Sequence, residues 1–165
     1  MDIEAELATL RGRALQALVD RLMAAFDVAR CTLRLDGPDP FGVAYEAREP
    51  GVRTLIGDQE VSLTGQPVVE AILGGQRQVV QHDSRAAHSD PGFQRMLDSY
   101  GNMGAQIVTA VVFDGAVRGI ISLHHLGGPR RWSGEETTLA LRAAEIVASM
   151  LDAAGGGNAM APHVT

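Results

Sequence analysis

The sequence predicts an α+β fold, an antiparallel sheet with the N- and C-terminal helices on one face. Three observations lead there. Residues 105–126, AQIVTAVVFDGAVRGIISLHHL, read as two Val- and Ile-rich strands joined at Phe113-Asp114-Gly115, and Asp-Gly between apolar runs is a strong hairpin signal. Residues 2–27 carry Ile3, Leu7, Leu10, Ala14, Leu18, Leu22 and Ala25 at steps of three and four, the stripe of an amphipathic helix. Ser133 followed three residues later by Glu136 is a capping box that opens a last helix.

Taken in order, the N-terminal helix has its stripe widened by Leu15, Met23 and Phe26, and Gly12 marks a close approach of another helix. Its length and apolar width predict that part of it packs on a second chain. Arg30–Asp36 is the first strand, with Cys31, Leu33 and Leu35 alternating with Thr32 and Arg34, and Gly37-Pro38-Asp39-Pro40 ends it. Phe41–Arg48 is the second, with Val43 and Tyr45 on one side and Ala44 and Glu46 on the other. After the turn Glu49-Pro50-Gly51, Val52–Ile56 reads as a short strand and Glu60–Leu63 as an extended piece. Gln66–Leu73 is a short helix with Thr64 as its cap and Pro67 in its first turn, ended by Gly74-Gly75. Gln78–Gln81 is a strand. Residues 82–104 are a polar loop with one or two helical turns, Asp90 capping the turn at Pro91. The whole segment 49–104 is expected to cover the sheet face away from the terminal helices.

The hairpin's turn length decides what its faces carry. A three-residue loop pairs Val112 with Ala116. It then puts Ile107, Val111, Val117, Ile121 and Leu123 on one face, with Gly119 among them. The other face carries Gln106, Val108, Ala110, Arg118, Ile120, Ser122 and His124, a mixed surface of the kind that walls a pocket. A two-residue loop shifts the pairing by one and scrambles that division. The three-residue reading separates polar from apolar better and is preferred; the sequence leaves both open. In the last helix Leu139, Ala143, Ile146, Val147, Met150 and Ala154 form the stripe, Arg142 and Glu145 face away, and Trp132 anchors the helix to the sheet. Gly155–Gly157 is expected to stop it, giving one domain over residues 1–154 and a disordered tail over 155–165.

Composition narrows the function. A net charge of −6 argues against nucleic acid as a partner. No apolar run of about 18 residues is present to span a membrane. The acidic N-terminus lacks a signal-peptide layout, so a cytoplasmic location is expected. Cys31 is the sole cysteine, which excludes an internal disulfide and a multi-cysteine metal site, and no activating base adjoins it. All 14 basic side chains are arginine, which removes a lysine Schiff base, a lysine general base and a P-loop, and hints at a GC-rich bacterial genome.

The element order, with Asp114-Gly115-x-x-x-Gly119-x-x-Ser122-x-His124-His125 and then Pro129-Arg130-Arg131-Trp132-Ser133-x-x-Glu136, resembles a GAF domain over residues 8–153. Tyr100-x-Asn102-Met103-Gly104 before the hairpin and the histidine pair after it resemble the phytochrome branch. The resemblance implies a six-stranded antiparallel sheet, a ligand pocket on the face away from the terminal helices, and dimers through those helices. It places His124 where the first histidine of the pair lines a bilin pocket. The bilin-attaching Cys-His of some members is replaced here by Met96-Leu97, and their Asp-Ile-Pro is absent, so covalent attachment at that site is not expected.

The predicted ligand-binding set is His124, Ser122, Gln106, Tyr100, Met103, His82, Arg77 and Tyr45. His124, Ser122 and Gln106 come from the pocket face, and Tyr45, Tyr100 and Met103 supply walls. Arg77, with Arg53 and Arg95, offers a fork for a carboxylate. His82, Asp83, His88 and Asp90 gather in one loop, but their spacing matches no metal motif and no metal is expected. No cofactor is named by these residues. The expected function is a stand-alone dimeric sensor or regulator that binds a small molecule and acts through a separate signalling protein. The alternatives are an enzyme with His124 or His82 as general acid or base, marked by a pocket histidine bonded to a carboxylate, and a purely structural dimeriser whose pocket face is filled by its own side chains.

Overall fold

The computed structural model describes residues 2–163, with side chains as far as Ala154. The order is α1 (Ile3–Phe26), β1 (Arg30–Leu35), β2 (Gly42–Arg48), α2 (Pro67–Leu73), β3 (Gln78–Gln81), α3 (Ser84–Ala87), α4 (Pro91–Ser99), β4 (Met103–Phe113), β5 (Ala116–Leu126) and α5 (Gly134–His163). The sheet is antiparallel with five strands in the order β2-β1-β5-β4-β3. One apolar core lies between the sheet and the helices α1 and α5, built on Leu15, Val19, Phe26, Leu33, Ile107 and Val147. A second lies on the opposite face under α2 and α4, built on Val68, Ile72, Phe93, Leu97, Met103 and Ile120. Both faces of the central strands are therefore covered, the layering expected.

The local signals act as read at several element ends. Ser133 Oγ accepts from the Glu136 N–H (3.1 Å) while Glu136 Oε1 accepts from the Ser133 N–H (2.8 Å), a complete capping box. Asp90 Oδ1 accepts from the Phe93 N–H at 3.0 Å and starts α4 at Pro91. Trp132 donates its indole N–H to the Gln81 carbonyl at 3.0 Å and packs beside Phe26, fixing the entry to α5.

Other expectations are corrected. The sheet has five strands where six were implied. Val52–Ile56 is not a strand, because side chains occupy its backbone groups: Arg48 and Arg30 donate to the carbonyls of Val52 and Arg53, and Glu46 accepts from the Leu55 N–H. Glu60–Leu63 is not extended into a ladder either; Asp58 accepts from the Glu60 N–H in a local turn. Thr64 does not cap α2, which starts after Gln66 and has no side-chain cap.

The hairpin turn is the two-residue one. Phe113 pairs with Ala116, and Asp114 and Gly115 take the positive φ values (53° and 73°) of a type I′ turn. The preferred division of faces nevertheless holds over most of the hairpin. Val112 pairs with Val117 but Val111 with Gly119, so Arg118 is an extra residue on β5, and this bulge reverses the one-residue shift. Val117 changes sides and joins the core under α2 and α4, and the bulged Arg118 leaves the pocket face to lie over Phe113, which packs on the helix side. A second bulge separates Leu33↔Tyr45 from Arg34↔Val43, leaving Ala44 unpaired. It sends Val43 to the α2–α4 side and Tyr45 to the helix side, where the tyrosine hydroxyl would lie 3.3 Å from a Cβ at Gly12. Gly12 thus admits a tyrosine from the sheet, not another helix.

The buried stripes of the terminal helices also differ from those expected. α1 buries Leu15, Val19, Leu22 and Phe26, and leaves Ile3, Leu7 and Leu10 exposed. α5 buries Ala140, Ala143, Ala144, Val147 and Ala148, small residues that let it lie close on β4, and exposes Leu139 and Ile146. Its helical backbone is described past Gly155–Gly157, the expected stop; the side chains of the expected tail, 155–165, lie outside the described residues.

At the first residues of β4 the chain segment Gly127-Gly128 crosses directly over Gly104, leaving no room for a Cβ. Gly104→Ala is expected to cost about 2–3 kcal/mol by overpacking against backbone. Gly128→Ala, with nothing within 4 Å of its Cβ, should stay within about 0.5 kcal/mol of the parent. Urea unfolding of both variants checks the pair.

Candidate functional site

On the α2–α4 face the sheet does not close completely. A cavity of about 50 Å3 lies over β1, β5 and β4, with Arg34, Gln66, Tyr100, Gln106, Ser122 and His124 forming its polar side. Leu63, Val68, Val69, Met96, Val108 and Ile120 form the rest. The polar residues of the sheet are placed by register. Gln106 sits opposite His124 across β4–β5, and His124 opposite Arg30 across β5–β1, so three polar side chains share one row of the pleat. Thr32 opposite Ser122 makes the next row.

His124 is buried and stacks on Tyr100, their ring centroids 5.9 Å apart. Its Nδ1 lies 3.0 Å from Arg30 Nη1. A guanidinium only donates, so Nδ1 accepts and the ring is neutral with its proton on Nε2. Burial, with the charges of Arg30 and Arg34 adding to it, holds the His124 pKa well below the ordinary histidine value. Nε2–H has no protein partner among the described residues.

Arg30 is completely buried on β1 and was not foreseen as part of the site. Besides His124, it donates to the carbonyls of Tyr100 (2.9 Å) and Arg53 (2.7 Å). Tyr100 is the C-cap of α4, so the charge also sits at the negative end of that helix. Burial pushes the Arg30 pKa down to about 10, with Glu46 opposing; the group stays charged at neutral pH. Four residues along the same strand, Arg34 donates to the Phe41 carbonyl at 3.0 Å and to the Tyr100 hydroxyl at 3.2 Å. Burial raises the Tyr100 pKa. Beyond this arginine–tyrosine contact lies a second, outer cleft of about 270 Å3, which shares Arg34, Leu63 and Tyr100 with the inner cavity. The signal for Arg30 and Arg34 was legible: they alternate with Cys31, Leu33 and Leu35 on one strand, opposite to the face that packs on the helix-side core.

Of the predicted set, His124, Ser122, Gln106 and Tyr100 line the cavity. Met103 is buried in the core beside it without reaching the lining. Tyr45 lies on the opposite face, moved there by the β2 bulge. His82 faces the start of α5, its Nδ1 accepting the Trp132 N–H at 3.0 Å. Arg77 is exposed near Val112, at the far end of the sheet. Arg53 belongs to the frame: it pairs with Asp58 and Glu60 and donates to the Ser99 carbonyl. Asp83 and Asp90 cap α3 and α4, and no metal-holding cluster occurs among the described residues. Burial pushes the Cys31 thiol up, away from thiolate chemistry. Gln66 is a further lining residue missed from sequence, because only the fold brings α2 over the sheet.

An antiparallel sheet with terminal helices on one face and a polar-ended cavity under short helices on the other defines the class: an α+β ligand-pocket domain. A family model described as GAF domain matches residues 11–151, and the chain belongs to that family. No curated protein matches the sequence. Among solved structures it is similar to the cyanobacteriochrome TePixJ GAF domain, with TM-score 0.75 and 19% identity over 88% of this chain and 91% of that one. It is also similar to the chromophore-binding domain of the bacteriophytochrome RpBphP3 from R. palustris, with TM-score 0.72 and 16% identity over 93% of this chain and 60% of that one. A domain solved in a far-red-absorbing dark state with bound biliverdin IXa gives TM-score 0.68 and 17% identity over 93% and 99%. At these identities the likeness is one of fold.

The neutral, buried His124 has a consequence for acid stability. Its folded pKa lies below the unfolded value of 6.5, so the unfolded chain binds the proton first. The histidine's contribution is therefore fully present above about pH 6.5 and is lost as pH falls below it, with a slope of up to about 1.4 kcal/mol per pH unit. Urea unfolding between about pH 7.5 and 5 should show this slope, and His124→Gln should flatten it by about one proton's worth.

Proposed function

We propose that this GAF domain is a small-molecule sensor or regulator whose ligand occupies the cavity over β1, β4 and β5. One observation carries the reading. The cavity gathers Gln106, Ser122 and His124 from two sheet rows and leaves Gln66 Oε1 on its wall without a partner among the described residues; Thr32 Oγ1 and Arg30 Nε, in the same two rows but outside the lining, are unpartnered as well. Buried polar atoms are normally satisfied, so this face favours a bound molecule over a self-filled core and speaks against a purely structural dimeriser. Ligand would contact His124, Ser122, Gln106 and Tyr100 from the sheet side, with Arg34 and Gln66 closing on it. The bilin-binding of structural relatives supports a ligand at this face; without a matching attachment cysteine, a bilin here would be non-covalent.

The enzyme alternative receives little from the geometry. A general base needs a free lone pair, and His124 has Nδ1 committed to Arg30 and a proton on Nε2. Neither His124 nor His82 bonds a carboxylate among the described residues; their ring partners are Arg30 and the Trp132 amide.

Output would pass through the terminal helices. Ile3, Leu7 and Leu10 on α1 and Leu139 and Ile146 on α5 are exposed apolar residues on two helices that pack side by side, the surface of a homodimer. A ligand with different affinity for two arrangements of that interface shifts their populations, and a separate signalling protein reads the shift. No described helix is long and apolar enough to cross a membrane, in keeping with a cytoplasmic sensor.

Two measurements test this reading. Native mass spectrometry of the protein purified from its own cells should show an adduct that is lost on denaturation and weakened by His124→Ala; a bare chain under every growth condition would count against it. Light scattering should find a dimer, converted to monomer by Leu7→Glu combined with Ile146→Glu; an unchanged mass would place the interface elsewhere.

A further inference from the structure

The cavity joins an electropositive end to an apolar wall, and among the described residues no carboxylate forms an ion pair with that end, although the field of Glu46 acts on Arg30. Arg30 and Arg34 alternate on β1 and so lie on the same, cavity-side face of the sheet. Neither takes part in an ion pair among the described residues. Their acceptors are uncharged: the carbonyls of Tyr100, Arg53 and Phe41, the Tyr100 hydroxyl and His124 Nδ1. The carboxylates that act on this region are engaged elsewhere. Glu46 accepts from the Thr54 hydroxyl and the Leu55 N–H, and Asp58 pairs with Arg53.

Three donors then face the cavity without a strong acceptor. Arg34 lines it and uses only part of its fork, one arm in a 3.2 Å contact with the Tyr100 hydroxyl. The tautomer set by Arg30 makes His124 a fixed Nε2–H donor, backed by a buried positive charge. Ser122, a buried residue, makes no side-chain hydrogen bond among the described residues and lies one row along. Opposite them, Val68, Val69 and Met96 present only hydrocarbon and thioether. A buried cation with a half-buried one beside it and no ion-pair partner for either is costly, and a carboxylate accepts the parallel N–H groups of an arginine in bidentate fashion.

Resting on the reading that this cavity binds a small molecule, we infer that its ligand is a compact organic monoanion, a carboxylate on an apolar body. The carboxylate lies against Arg34, the His124 Nε2–H and the Ser122 hydroxyl. The apolar body packs on Val68, Val69 and Met96 and extends past Tyr100 toward the outer cleft, since the inner space alone is only about 50 Å3. Displacing the long Arg34–Tyr100 contact opens that path.

The test uses the full chain and calorimetric titration at constant ionic strength with isovalerate and benzoate, each against its neutral amide. The carboxylates are expected to bind and the amides to bind at least roughly tenfold more weakly. Arg34→Gln should weaken the carboxylates by roughly ten- to a hundredfold and the amides by less, roughly threefold, so that the preference for acid over amide shrinks. Circular dichroism confirms that the variant folds; if it does not, Ser122→Ala takes its place, with an expected loss of roughly three- to tenfold. Equal binding of acids and amides, or carboxylate affinity that neither variant moves, overturns the inference and leaves the small-molecule reading standing. Silence of all four probes in a protein that carries a native adduct of another class does the same. Silence of the probes together with the absence of any adduct overturns both.

Discussion

A buried guanidinium holds three parts of the chain together. Arg30 reaches the Arg53 carbonyl in the long connection after β2, the Tyr100 carbonyl at the end of α4, and His124 on β5. A lysine, with three donors on one point, would not span these directions; the planar fork of arginine does. The cost of burying the charge is offset by two carbonyls, the end of a helix and the field of Glu46, with no carboxylate paired to it. That choice leaves the residue positive in the middle of the sheet, and the character of the neighbouring cavity follows from it.

The first consequence is chemical. Because Arg30 can only donate, it dictates the tautomer of His124, keeps the ring neutral and turns Nε2–H into a permanent donor. A histidine in this state recognises acceptors and does not shuttle protons, which points to binding over acid–base catalysis. The second consequence is architectural. With Arg30 pinning the segment around Arg53, and Glu46 holding Leu55 and Thr54, this segment is fixed by side chains and not by a ladder. The sheet stops at β2, and the loop is free to form the wall of the outer cleft.

Much of this was legible in the sequence because it depends on local signals. The capping box at Ser133, the Asp90 cap, the Gln78–Gln81 strand and the alternation along β1 and β5 each act within a few residues. Four of the eight predicted site residues reach the cavity, all of them near or on the hairpin, whose face division holds away from the turn. What escaped was set by single-residue register events. The bulge at Ala44 moved Tyr45 to the helix side, and that at Arg118 turned a two-residue turn back into the expected faces. Neither position carries a residue type that announces a bulge. His82 and Arg77 were misplaced for another reason: their positions depend on how Trp132 and α2 dock, which no local pattern encodes. On α1 and α5 the apolar residues outnumber those the core can take, so periodicity alone could not tell the buried stripe from the exposed one.

Nitrogen-15 NMR of the histidine side chains reads directly the protonation state that Arg30 imposes on His124. His124 is predicted to show an unprotonated Nδ1 and a protonated Nε2, unchanged as the pH is lowered from about 8 through the ordinary histidine value of 6.5, and to lose this signature in Arg30→Met. An Nδ1–H tautomer, or an imidazolium forming near 6.5, would contradict it and remove the basis for a fixed donor in the cavity.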